Sequence, residues 1–128
     1  PKGVINTFKT VKEHLNENGV FIFDISSQYK LREIIGNETF IHSEYDVFYS
    51  WENRFIEKYN LSDMLLNFFV RDGEKYRRFE ERHLQRGWSI KEMKTMLTKA
   101  GFTDINVYNE LTFDVPHDQT ERLVFVCR

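Results

Sequence analysis

Apolar positions early in the chain recur at spacings of four, three and four (Val4, Phe8, Val11, Leu15), which predicts an amphipathic helix over Val4–Glu17 with one buried stripe. The pattern then changes. Val20–Ile25 is an almost unbroken apolar run of β-branched and aromatic residues, which predicts a strand covered on both faces, as in a parallel sheet flanked by helices. Between them, Asn18-Gly19 offers glycine for a left-handed helix cap. One acid, Asp24, lies near the far end of the strand, and Ser26 and Ser27 follow it. Either serine can cap a second helix, Gln28–Ile35, that closes at Gly36-Asn37.

From Thr39 to Arg86 the period drops to two. Val47, Tyr49, Trp51, Asn53 and Phe55 alternate with Asp46, Phe48, Ser50, Glu52 and Arg54. A strand from Asn60 or Leu61 to Arg71 follows, then the hairpin signal Asp72-Gly73, then a strand Lys75–Arg86 with few apolar residues. The expectation is an antiparallel meander of three long strands, or four with Thr39–His42, whose last strand is solvated and laced by charge pairs. Ser89-Ile90-Lys91-Glu92 has the form of a capping box. It opens a helix to Lys99 or Ala100 that buries Ile90, Met93 and Leu97 and ends at Gly101. A strand Thr103–Tyr108, a loop containing Pro116 and a last strand Arg122–Cys127, apolar on both faces, complete the chain. Neither repeat nor linker interrupts it, so residues 1–128 read as one unit with an antiparallel insertion at 39–87.

Composition narrows the class. The 128 residues are 41% apolar and 30% charged, the balance of a folded soluble protein with its own core. Aromatics reach 16%, with twelve Phe; core filling is the main explanation and a hydrophobic ligand wall the alternative. A net charge of −2 nominates neither nucleic acid nor an anionic membrane as partner, and no apolar run is long enough to span a bilayer. The single cysteine, Cys127, excludes an internal disulfide and fits a cytoplasmic location. Four histidines lack the spacing of a metal site. A secretory signal pattern is missing too, and Pro1 either follows a removed Met or, the favoured expectation, lies inside a longer protein.

Three segments carry a resemblance. Leu15–Ile25, Trp88–Ile105 and Leu123–Cys127 are similar to the helix, glycine and fifth strand, the last helix and sixth strand, and the seventh, antiparallel strand of class I S-adenosylmethionine-dependent methyltransferases. Tyr45–Arg86 resembles the antiparallel insertion of bacterial members that act on small molecules or are uncharacterised. The resemblance implies an α/β fold: part of a Rossmann-like sheet in the order five, seven, six, plus the meander and about three helices. It covers the C-terminal half of that domain. The family's Pro-Gly-Gly before the fifth strand is reduced to Gly19, and no glycine-rich loop follows a first strand. S-adenosylmethionine is therefore expected in the intact parent, held by the missing N-terminal half, and not on this stretch alone.

On that resemblance the chain would supply walls for a small-molecule methyl acceptor. Asp24 could orient or deprotonate an acceptor amine or hydroxyl; a buried carboxylate satisfied by backbone amides is the plainer alternative. Ser27 and Tyr29 could contact substrate, although Ser27 suits a helix cap. Trp51, with Tyr49, could stack on the acceptor or simply pack. Arg86 could bind an acidic group or form a solvated cross-strand pair. Trp88 could close the pocket or staple its helix. The apolar edge of strand 20–25, having lost its neighbour, is expected to invite self-association. A different class stays open: a stand-alone α+β binding or assembly module built on the curved antiparallel sheet.

Overall fold

The computed structural model describes Pro1–Arg128 throughout, and the chain divides into two compact units. The first comprises Pro1–Tyr29 and Trp88–Arg128, the second Lys30–Gly87. The stretch read as an insertion from 39 thus belongs to a unit that begins at Lys30.

In the first unit, α1 (Lys2–His14), β1 (Phe21–Ser26), α2 (Ile90–Lys99), β6 (Ile105–Asn109) and β7 (Arg122–Cys127) form one layer of helix on one of sheet. The strand order is β1-β7-β6, with both neighbours antiparallel to β7. This is the arrangement implied for the end of the methyltransferase sheet. Phe8, Met93, Met96, Leu97, Phe102, Leu123, Phe125 and Cys127 make the core, and Phe23 stacks on Phe125 with ring centroids 5.0 Å apart.

Two details differ from the sequence reading. Helix α1 ends at His14, and the turn after it puts Asn18, not Gly19, in the left-handed region at φ 64°. Gly19 is needed for another reason: a Cβ there would lie 2.9 Å from the Asn16 carbonyl oxygen. And β1 is covered on one face only. Phe21, Phe23 and Ile25 meet the helical layer, whereas Val20 and Ile22 point away from it and Ile22 is 62% exposed. The apolar run is continuous because both faces are apolar, yet nothing in this unit covers the second, and β1 is an edge strand.

The second unit is a four-stranded meander, β2 (Thr39–Glu44), β3 (Val47–Ile56), β4 (Leu61–Asp72) and β5 (Lys75–Arg86), in sequence order. The hairpin after β4 is turned by Gly73-Glu74, with Asp72 still paired to Lys75; Gly73 takes φ 65°, which glycine adopts without cost. The helix expected to Ile35 is present, but Lys30–Ile35 is wound as a π-helix, closed by the Gly36 N–H on the Leu31 carbonyl at 3.1 Å. Its Leu31 and Ile35 pack with Met64, Trp51, Phe55 and Leu66. Beyond them on the same face a row of rings, His42, Tyr49, Phe68 and Phe79, crosses all four strands with centroids 5.0–5.4 Å apart. Every residue of β5 is exposed, as its polar pattern requires.

Candidate functional site

At the end of β1 the chain leaves the sheet while still paired: the Ser27 N–H donates to the Glu121 carbonyl at 2.8 Å. This pins Ser27, which is buried, where the strand hands over to the turn at Gln28 and Tyr29. Facing it is the start of α2. There Ser89 Oγ accepts from the Glu92 N–H, and the Glu92 carboxylate accepts from the Ser89 N–H, which is the capping box read from the sequence. Between these ends lies a cleft of about 410 Å³, whose walls include Ser27, Tyr29, Trp88, Lys91, His117 and Thr120. Three of the six candidate residues, Ser27, Tyr29 and Trp88, thus line one cleft at the carboxyl end of a strand.

Sequence reasoning missed the third wall. Residues 117–120 form a tight turn locked in both directions: the His117 N–H donates to Thr120 Oγ1 at 3.0 Å, and the Thr120 N–H donates to the His117 carbonyl at 3.0 Å. Thr120 is buried, so the turn is anchored and carries the His117 side chain at the cleft. The only local signal is the Pro116-His117 pair, and a metal-ligand spacing rule does not single it out.

Asp24 is not among the residues lining the cleft. It shares the face of β1 with Ile22, stays half-exposed, and pairs with the Arg122 guanidinium, which also lies 3.4 Å from Glu110. The buried, amide-satisfied carboxylate considered above is therefore not what forms; the cross-strand arginine takes that place. Trp51 and Arg86 belong to the second unit. The Trp51 ring packs with Phe40 at 5.2 Å and with the Leu31–Ile35–Met64 cluster, and its indole N–H is buried without a partner. Arg86 ends β5 opposite Leu61.

Three groups are shifted from their ordinary range: Asp63 downward, and Arg82 and Cys127 upward. Arg82 makes a two-pronged contact with Asp63 at 2.8 and 2.6 Å, and this hydrogen bonding holds the Asp63 carboxyl low. Burial in β7, with the nearby Asp104 charge second, pushes the Cys127 thiol up to about 11. Cys127 is thus inert packing, not a nucleophile. No group of three or more His, Cys, Asp or Glu is placed to hold a metal ion.

No protein-family profile matches the chain. A methyltransferase by name, YqeM of Bacillus subtilis (strain 168), is 37% identical over 123 residues, covering 95% of this chain and 49% of its own length. The crystal structure of an S-adenosylmethionine-dependent methyltransferase from Clostridium acetobutylicum ATCC 824 superposes with a TM-score of 0.86 at 37% identity, over 97% of this chain and 50% of that one. The chain matches the C-terminal half of a class I methyltransferase. It spans about half the length of the curated relatives it matches. The methyltransferase CcbJ from Streptomyces caelestis shares the fold, with a TM-score of 0.72 at 17% identity over 97% of this chain and 52% of that one. In methyltransferase terms, β1, β7 and β6 are the fifth, seventh and sixth strands.

Proposed function

We propose that this chain is the acceptor-side half of an S-adenosylmethionine-dependent methyltransferase for a small molecule, working in the cytoplasm. The observation that carries the reading is β1: a strand apolar on both faces, left at the sheet edge, in a chain half as long as its methyltransferase relatives. A parallel strand from the preceding half, laid along that edge, would bury Val20 and Ile22 and satisfy the free backbone groups. Neither a nucleic acid nor a membrane partner is part of this reading.

This chain's own residues do not fit the methyl donor. The junction after β1 is Ser26-Ser27-Gln28, and the positive-φ glycines sit in a helix end, a hairpin and a helix cap, so none lets the backbone approach a ligand after a strand. The donor belongs to the preceding half. Methyl transfer then asks the acceptor side for orientation and exclusion of water. Ser27, Tyr29 and Trp88 would form the wall. Asp24 lies outside that cleft, on the other face of β1 and paired with Arg122, so an acceptor whose amine or hydroxyl it orients must reach over the end of the strand.

A chimera joining the first half of the Clostridium acetobutylicum enzyme to this chain tests the reading by calorimetry. Donor binding by the chimera and not by the chain supports it; a folded chimera that ignores the donor overturns it. Trp51→Ala and Arg86→Met in the same chimera test those two candidates. The chain by itself should self-associate through β1 in sedimentation, and Ile22→Lys should return it to monomer.

One observation favours a second reading. The meander unit has its own cluster under Leu31 and Ile35 and only short hairpins, so it could serve as a free-standing binding module. Thermal stabilisation of the chain by an apolar ligand, together with a chimera inert to the donor, would favour this module.

A further inference from the structure

The cleft at the end of β1 contains a side chain whose hydrogen is fixed by its own turn. His117 Nδ1 accepts the Gln119 backbone N–H at 3.2 Å. A backbone amide can only donate, so Nδ1 carries no proton, and the neutral ring holds its hydrogen on Nε2. No group of the chain accepts from Nε2. One hydrogen bond, from the Gln119 N–H, holds the ring, and two tie the His117 backbone to Thr120: the His117 N–H donates to Thr120 Oγ1 and the His117 carbonyl accepts from the Thr120 N–H. His117, a lining residue of the cleft, therefore carries an N–H donor at a ring position that its own turn sets.

Its neighbours sort the ligand further. Lys91, on the first turn of α2, lines the same cleft and has no acid paired with it. Trp88 and Tyr29 supply aromatic surface there. Asp118, also on the rim, opposes an anion, so charge alone does not decide the matter. What favours an anion is the donor set: a histidine N–H fixed by its own turn and a lysine line the same cleft, the pairing that an oxygen-rich group takes.

We propose that the cleft binds its ligand by a carboxylate- or phosphate-type oxyanion, held by the Nε2–H of His117 and the Lys91 ammonium, with an aromatic or planar body against Trp88 and Tyr29. The proposal rests on the methyltransferase reading only in taking that ligand to be the methyl acceptor. The acceptor is then an acid whose methylated atom lies elsewhere on the molecule.

The test needs no methyl donor. Long-range nitrogen–proton correlation spectra of the chain report the His117 tautomer directly, and sodium benzoate, phenyl phosphate and benzylamine are titrated in turn. The expected result is an Nε2–H ring that responds saturably to benzoate, phenyl phosphate or both, and not to benzylamine. Binding read from Trp88 fluorescence should weaken about tenfold in Lys91→Met, the loss of one charge-assisted hydrogen bond. It should vanish in His117→Phe and return in part in His117→Gln, which restores an N–H donor. An Nδ1–H tautomer, an equal response to benzylamine, or unchanged benzoate binding by a folded His117→Phe would each overturn the proposal. A failure here leaves donor binding by the chimera untouched, and an inert chimera leaves this anion site standing.

Discussion

The guanidinium of Arg122, at the start of β7, is paired with the carboxylate of Asp24, near the end of β1. The two strands register Ser26 against Arg122 and Asp24 against Val124, so the pair runs diagonally across one face. Both side chains are more than a third exposed, which limits the net worth of the pair to about 0–1 kcal/mol. Asp24→Asn should therefore barely move the thermal midpoint of the chain. In the chimera it should lower kcat about a hundredfold with little change in KM, if Asp24 orients the acceptor's reacting group. A chimera with unaltered kcat would remove Asp24 from the chemistry.

The start of α2 gives a stability prediction. Ser89 and Glu92 satisfy one another's backbone amides, so Ser89→Ala leaves the Glu92 N–H without its acceptor. Urea denaturation should show a loss of about 1 kcal/mol, within the usual range for caps.

Core truncation should cost far more. Phe125 is fully buried in the middle strand and stacks on Phe23. Phe125→Ala should remove about 3–5 kcal/mol, much of what a domain of this size possesses. Near-ultraviolet circular dichroism in rising denaturant would measure it.

The thiol of Cys127 links folding to alkaline pH. Burial raises its pKa from 9.0 to about 11, so the folded state prefers the protonated form more than the unfolded state does. That preference costs nothing below pH 9 and erodes stability as pH rises from about 9 toward 11. Denaturation midpoints across that window should fall more steeply for the natural chain than for Cys127→Ala. Iodoacetamide should label the thiol only as the chain unfolds.

Elements with a strong period were legible. The capping box at Ser89–Glu92 is satisfied locally by residues three apart, so four letters sufficed to place α2. The meander followed from alternation and from Gly73, and β5 announced its exposure by having almost nothing to bury. Features set by distant partners were not legible. Val20–Ile25 reads as apolar on both faces, but which face is covered depends on what lies beside it, and Ile22 is left in water. Asp24 has no hint of Arg122, 98 positions away. Lys30–Ile35 is π-wound where Leu31 and Ile35 pack with Met64, a partner far along the chain, and no local spacing rule marks that winding. In the cleft, Ser27, Tyr29 and Trp88 were nameable because they flank element ends. His117 was not, since its role comes from a turn that Thr120 anchors.

The strand order β1-β7-β6 also governs birth of the molecule at the ribosome. Within this chain both outer strands pair only with β7, so the β7-facing edge of β1 must wait through roughly a hundred residues of translation before its partner exists. The meander, joined by neighbouring hairpins, has no such delay and can close while the rest is still being made. When this chain is made by itself, nascent chains arrested before Arg122 should therefore expose Phe21–Ser26 to chaperones, with the meander already protected from protease.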